Sequence, residues 1–165
     1  AYFLPGVRFG RALYAAAKRG VRITVLLQGK TDHHLMRYAT QTLYATALAA
    51  GIRIFEYEKS FMHAKVAVID GEWATVGSSN IDPFSLLLAK EANIVVRDRT
   101  FGNELRSSLK LAIRDGAHEL LPADLSRLPL HSRLLRWLAY GLVRAMVGIA
   151  GYGQRHWQAP ETTPE

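Results

Sequence analysis

Two strand-like runs, KVAVID (65–70) and WATVG (73–77), are separated only by Gly71 and Glu72. No other segment limits the fold as much. Apolar residues alternating around an Asp-Gly step predict an antiparallel hairpin with a tight turn at Asp70-Gly71. Around it, segments of helical period alternate with β-branched runs. Residues 6 to 19 carry Val7, Leu13, Tyr14 and Ala17 at helix-like spacing, and Gly20 follows where a C-cap would stand. Residues 21 to 27 (VRITVLL) read as a buried strand, 33 to 50 as a helix ended by Gly51, and 52 to 57 as a short strand. A further strand is expected at 93 to 97 and a helix at 99 to 117. The alternation predicts an α/β sandwich with a mixed β-sheet.

The head of the hairpin carries the chemistry. Side chains alternate faces along a strand, so in HAKVAVID residues His63 and Lys65 share a face while Asp70 lies on the other, shaping the turn unless a bulge intervenes. A lysine in a buried run is costly unless its charge meets a partner. Just beyond the second strand, Gly77 permits close backbone approach, and Ser78 and Asn80 offer an O–H and an N–H donor. A cation and short neutral donors beside an imidazole suit a phosphate. The imidazole can attack phosphorus or protonate the leaving oxygen. A phosphodiester is therefore the expected partner of Lys65.

The joint spacing H-x-K-x4-D-x6-G-S-x-N, standing here as His63, Lys65, Asp70, Gly77, Ser78 and Asn80, resembles the HKD signature of the phospholipase D superfamily. The likeness extends to YFLPGVRFGRAL, AAKRGVRITVLLQGKTDH, LYATALAAGIRIFEY and SFMHAKVAVIDGEWATVGSSNIDPFSLLLAKEANIVVRD. Together, over about residues 2 to 115, these look like the second half of a bacterial cardiolipin synthase. The resemblance implies one half of a phospholipase D-like α-β-α pseudo-dimer, acting as a phosphatidyl transferase. In that chemistry a donor phospholipid, phosphatidylglycerol losing glycerol or alternatively phosphatidylethanolamine, forms a phosphatidyl-histidine, and the hydroxyl of a second phosphatidylglycerol takes the phosphatidyl group. No cofactor or metal is implied. The resemblance makes His63, Lys65, Asp70 and Glu91 the candidate catalytic residues; Glu91, matching the family's acidic residue after GSxN, would orient His63, and Ala89 stands where the family often has Asn.

The family builds one site from two HKD motifs, and this chain has one. The resemblance implies either a first half preceding Ala1 or two copies paired about a two-fold axis, with an isolated monomer inactive. The strand-like start AYFLPG, with no initiator Met, also leads us to expect the later part of a longer protein. In two-motif relatives the first-half His is commonly the nucleophile, which gives His63 the acid/base role.

The chain has no cysteine, so disulfides and thiolate metal sites are excluded. Lys and Arg outnumber Asp and Glu 21 to 14, favouring anionic partners. From Leu125 to Pro160 there is no acidic residue, while Arg127, Arg133, Arg136, Arg144 and Arg155 occur. We divide the chain accordingly into a catalytic region, 1–122, and a basic amphipathic segment with a tail, 123–165. On a helical wheel of residues 133 to 149, Leu135, Leu138, Leu142, Met146 and Ile149 share one face, and Arg133, Arg136, Arg144, Tyr140 and Trp137 gather opposite. A mid-segment arginine argues against a spanning helix. The pattern predicts a helix at the lipid interface, or a surface helix packed on the domain's own core.

Asp32, His33 and His34 are not read as a metal site, because neighbouring side chains diverge and no second ligand pair occurs. Gly29 to His34 follows the first strand, where α/β sites often lie, and is a secondary substrate-loop candidate. Arg8, Arg11, Lys18 and Arg19 read as solvated helix charge. The leading expectation is a peripheral enzyme on the cytoplasmic side of a bacterial inner membrane, with a membrane surface and phospholipids as partners in preference to nucleic acid. The alternatives are a homodimeric nuclease of the same superfamily and a non-catalytic membrane-docking half.

Overall fold

The computed structural model describes residues 3–31, 33–82, 84–85, 89–126 and 129–152, the last six as backbone. Helix α1 (Val7–Lys18) is followed by Gly20 at φ +93° and strand β1 (Thr24–Gln28). Next come α2 (His34–Gln41), α3 (Tyr44–Ala49) and β2 (Arg53–Tyr57). The hairpin β3 (Val66–Ile69) and β4 (Trp73–Gly77) precedes β5 (Asn93–Arg97) and α4 (Arg99–Gly116). The chain then forms β6 (Ala117–Glu119), α5 (Pro122–Ser126) and the long helix α6 (Leu130–Tyr152).

The expected hairpin is present, with Val66 opposite Val76 and Ile69 opposite Trp73. Asp70 and Gly71 both take positive φ, +54° and +71°, as a type I′ turn requires, and Glu72 N closes the turn on Ile69 O at 3.1 Å. Asp tolerates this left-handed conformation better than most residues. Helix α4 is N-capped by Asp98, whose carboxylate accepts from Phe101 N at 2.7 Å. It packs close to the turn: a Cβ on Gly102 would come within 2.5 Å of Gly71 O.

Three expectations need correction. The single mixed sheet is two three-stranded sheets among the described residues, ordered β1-β2-β6 and β3-β4-β5. The first is mixed, because β1 runs parallel and β6 antiparallel to β2; the second is antiparallel throughout. A parallel bridge between Phe3 and Ile81 links the opening segment to the loop beyond β4. The helix expected at 33 to 50 is two helices. At the break, Thr42 Oγ1 lies 3.2 Å from Tyr38 O and 3.0 Å from Arg136 O, so its hydroxyl competes for backbone acceptors and binds α6.

The third correction concerns α6. Ala139 and Val143 are buried in a cluster with Leu4 and Ala39, against Met36, Leu43, Phe84 and Tyr140. Arg136 therefore turns inward with Tyr140 and is not on an outward basic face. Its guanidinium approaches Tyr44, Glu56 and Arg37, and burial pulls its pKa below the usual range. Glu56, 4% exposed, accepts from Tyr44 Oη at 2.8 Å and meets Arg37 at 3.4 Å. A buried carboxylate needs such partners, which explains why an arginine of an apolar helix points into the domain. Burial, then Glu56, raises the Tyr44 pKa well above that of free tyrosine. The main core, Leu27, Tyr44, Ala47, Ile52, Ile54 and Leu120, packs beside α1.

Candidate active site

The site is built where β3 begins and β4 ends. Gly77 N donates to Lys65 O at 3.1 Å, and Ser78 N donates to Ala92 O at 3.0 Å. These bonds set Lys65, Ser78 and Glu91 side by side across three adjacent chain segments. Ser78 Oγ donates to the Glu91 carboxylate and accepts from Ala92 N at 3.0 Å. Lys65 Nζ donates to His63 O at 3.0 Å. Partial burial lowers the Lys65 pKa, and the nearby carboxylates of Glu91 and Asp82 oppose that shift.

His63 lies in the extended segment just before β3 and is exposed. Its ring stacks on Phe61, with centroids 6.0 Å apart and an interplanar angle of 16°. Asp70 sits in the turn at the opposite end of β3, next to a surface pocket lined by Ile69, Glu72, Trp73 and Arg97. Five residues of extended chain place it roughly 16 Å from Lys65. The geometry thus groups Lys65, Ser78 and Glu91, with His63 bonded to Lys65 through its carbonyl, and leaves Asp70 at the turn.

Asn80 Nδ2 donates to Ser85 Oγ at 3.2 Å, and Ser85 Oγ lies 3.3 Å from Asp82 Oδ2. Asp82, 2% exposed, also accepts from Phe84 N at 2.8 Å and Ser85 N at 3.0 Å. One buried carboxylate therefore holds the segment after GSSN and contributes field at Lys65. The sequence reading missed Asp82 and Ser85, although Asp-Pro at the start of a turn is an N-cap signal. It also missed Asn93, whose side chain donates to Ser79 Oγ at 2.6 Å and accepts from Ser79 N at 3.4 Å.

Elsewhere, ligand atoms of Glu56, Glu58 and His118 lie within 4.8 Å of one another. Glu56 is already engaged by Tyr44 and Arg37, so the cluster reads as an ion-pair network. Asp32 lies outside the described residues. Arg37 Nη1 donates to Gly29 O, pinning the start of the loop that was the secondary substrate candidate.

A lysine and a serine hydroxyl set beside a carboxylate, with a histidine two residues from the lysine, are groups that can bind a phosphodiester and move a proton at it. A family model described as "Cardiolipin synthase, PLD-like domain" matches residues 1–111. The chain belongs to this family. Cardiolipin synthase B of Escherichia coli K12 is 38% identical over 156 residues, covering 94% of this chain and 38% of that protein. The minor cardiolipin synthase ClsB of Bacillus subtilis is 32% identical over 142 residues, or 86% of this chain and 35% of the relative. The chain thus spans well under half the length of these cardiolipin synthases.

Among solved structures, phosphatidylserine synthase of Haemophilus influenzae superposes with a TM-score of 0.64 at 12% identity, covering 90% of this chain and 39% of that one. The phospholipase D family member Nuc of Salmonella typhimurium gives 0.60 at 19% identity, covering 73% and 78%. Both likenesses establish a phospholipase D-like fold. Within this cardiolipin synthase-like domain, the charge balance at Lys65 predicts a pH effect. Glu91→Gln keeps an acceptor for Ser78 but removes the charge that sustains the ammonium, so the Lys65 pKa falls further. In the catalytically complete protein, the alkaline limb of the pH–rate profile should move to lower pH. An unmoved limb would show that Glu91 does not sustain the Lys65 charge.

Proposed function

We propose that the chain is one half of a phosphatidyl transferase making cardiolipin from phosphatidylglycerol and a second phospholipid. The observation that carries this is the grouping of Lys65, Ser78 and Glu91 beside His63 in a domain of the cardiolipin synthase family. Lys65 binds a non-bridging phosphate oxygen, and Asn80 together with Ser78, whose O–H turns from Glu91 to the substrate, donates to the others. A histidine attacks phosphorus, the bond to the glycerol oxygen breaks, and an N–P bond forms. The second histidine protonates the departing glycerol. It next takes the proton from the hydroxyl of the acceptor phospholipid, whose oxygen displaces the phosphohistidine nitrogen. His63 serves as this acid and base, oriented by Glu91, and Asp70 holds the turn. The other HKD motif comes from a preceding half or from a second copy of the chain.

The substrate is anchored in a bilayer, and no described helix is long and apolar enough to cross a membrane. The enzyme therefore works at a lipid surface, which we place at the cytoplasmic side of the bacterial inner membrane. The test is a lipid assay on the chain joined to a second HKD-bearing half. Cardiolipin should form from phosphatidylglycerol, alone or with phosphatidylethanolamine. Turnover only to another alcohol acceptor, or none, would overturn the assignment.

A further inference from the structure

We propose that the outward face of α6 is a docking surface for an anionic lipid bilayer, and that the helix lies flat along it. The inward face is already occupied: Ala139 is 5% and Val143 1% exposed, and Thr42 Oγ1 meets the Arg136 carbonyl. The opposite side is open, with Leu130 79%, Leu134 61%, Trp137 65%, Leu138 61%, Leu142 52% and Met146 45% exposed. At 100° per residue these six span roughly half the helix circumference. Such a continuous apolar strip is far more than the scattered exposure of an ordinary surface helix.

The rim identifies the occupant. Arg133 and Arg144, eleven residues apart and so on one stripe, lie between the packed face and Trp137. The Trp137 ring stands on this border and makes an edge contact, centroids 6.2 Å apart, with Tyr140, which packs against the buried cluster and braces it. A tryptophan and arginines beside an apolar strip suit the headgroup level of a membrane. The stretch from Leu125 to Pro160 holds no carboxylate to repel anionic lipid. A second protein chain would be met as well by an uncharged strip; the basic rim and acid-free segment favour lipid phosphates. The inward turn of Arg136 makes this arrangement possible, because it removes from the lipid side the one arginine central to the helix.

The inference rests on the phospholipid-transferase reading, and the two can fail separately. The experiment is flotation of the full chain with vesicles of phosphatidylglycerol and phosphatidylcholine, or of phosphatidylcholine alone. We expect flotation with the anionic vesicles, falling several-fold at high salt. The triple variant Leu134→Gln, Trp137→Gln, Leu138→Gln should lower the bound fraction at least tenfold, with an unchanged circular dichroism spectrum and elution volume. Arg133→Glu with Arg144→Glu should abolish the preference for anionic vesicles. Undiminished flotation of the triple variant overturns the proposal. So does a shift of that variant from oligomer to monomer with flotation intact, which would make the face a contact between copies. Turnover of a water-soluble short-chain phosphatidylglycerol, measured in the protein with both HKD motifs, should survive the triple substitution. Its absence in the unsubstituted protein would count against the transferase reading and leave the docking result standing.

Discussion

His63→Ala, in the protein carrying both HKD motifs, should lower turnover of phosphatidylglycerol by roughly a thousandfold, the range expected for loss of a general acid and base. The fold should be untouched, because His63 is exposed and lies in an extended segment outside the strands. The leaving group then separates the two roles a histidine can play. A glyceroxide leaves poorly without a proton, whereas a nitrophenolate needs none. If His63 is the acid, a nitrophenyl phosphodiester should restore most of the lost rate of the first step in the variant. Equal loss on both substrates, with no phosphorylated protein trapped, would make His63 the nucleophile and move the acid to the other motif. Activity indifferent to His63→Ala on every substrate would exclude an HKD mechanism. Lys65 bears on the same experiment, since its ammonium bonds to the His63 carbonyl and its loss would disturb the backbone that presents the imidazole.

The parts of the fold legible in the sequence are those fixed by local chemistry. The hairpin follows from Asp70-Gly71 between alternating apolar residues, and α4 stands at Arg99–Gly116, where the sequence predicts a helix at 99 to 117. What escaped was imposed from a distance. Ala117–Glu119 has no strand-like composition; it becomes β6 because β2 offers a free edge, and Arg53 then binds Glu119 through two nitrogens at 2.7 and 2.8 Å. The break between α2 and α3 depends on Thr42 reaching the Arg136 backbone, 94 residues away. Arg136 itself was read as facing outward, because a helical wheel carries no information about a buried carboxylate such as Glu56 on another element. The same limit applied at the site. The spacing of HAK and GSSN was readable, while the support from Asp82 and Asn93 depends on how two loops meet.

That support makes Gly77→Ala the most damaging single-methyl change at the site. Gly77 ends β4 opposite Asn93, and a Cβ there would stand 2.0 Å from Asn93 Oδ1, 2.4 Å from Ala92 O and 2.7 Å from Asn93 Cα. Only the first of these atoms belongs to a side chain that could move aside. If Asn93 does move, it releases the Ser79 backbone and hydroxyl it now holds. If the backbone moves instead, β5 separates from Ser78, and the bonds from Ser78 to Ala92 and Glu91 are lost, with them the placing of the hydroxyl proposed to meet phosphate. Overpacking of this kind costs about 1–3 kcal/mol. For a domain of this size that corresponds to a Tm lower by roughly 3–10 °C. Turnover should fall further than stability alone requires, because either relaxation displaces Ser78 or Ser79. Adding Asn93→Ala removes the Oδ1 clash but not the one with Ala92 O, so it should recover part of the Tm and little of the turnover. Full recovery of both by the double variant would show that the side chain, and not the close approach of the two backbones, is what requires glycine at position 77.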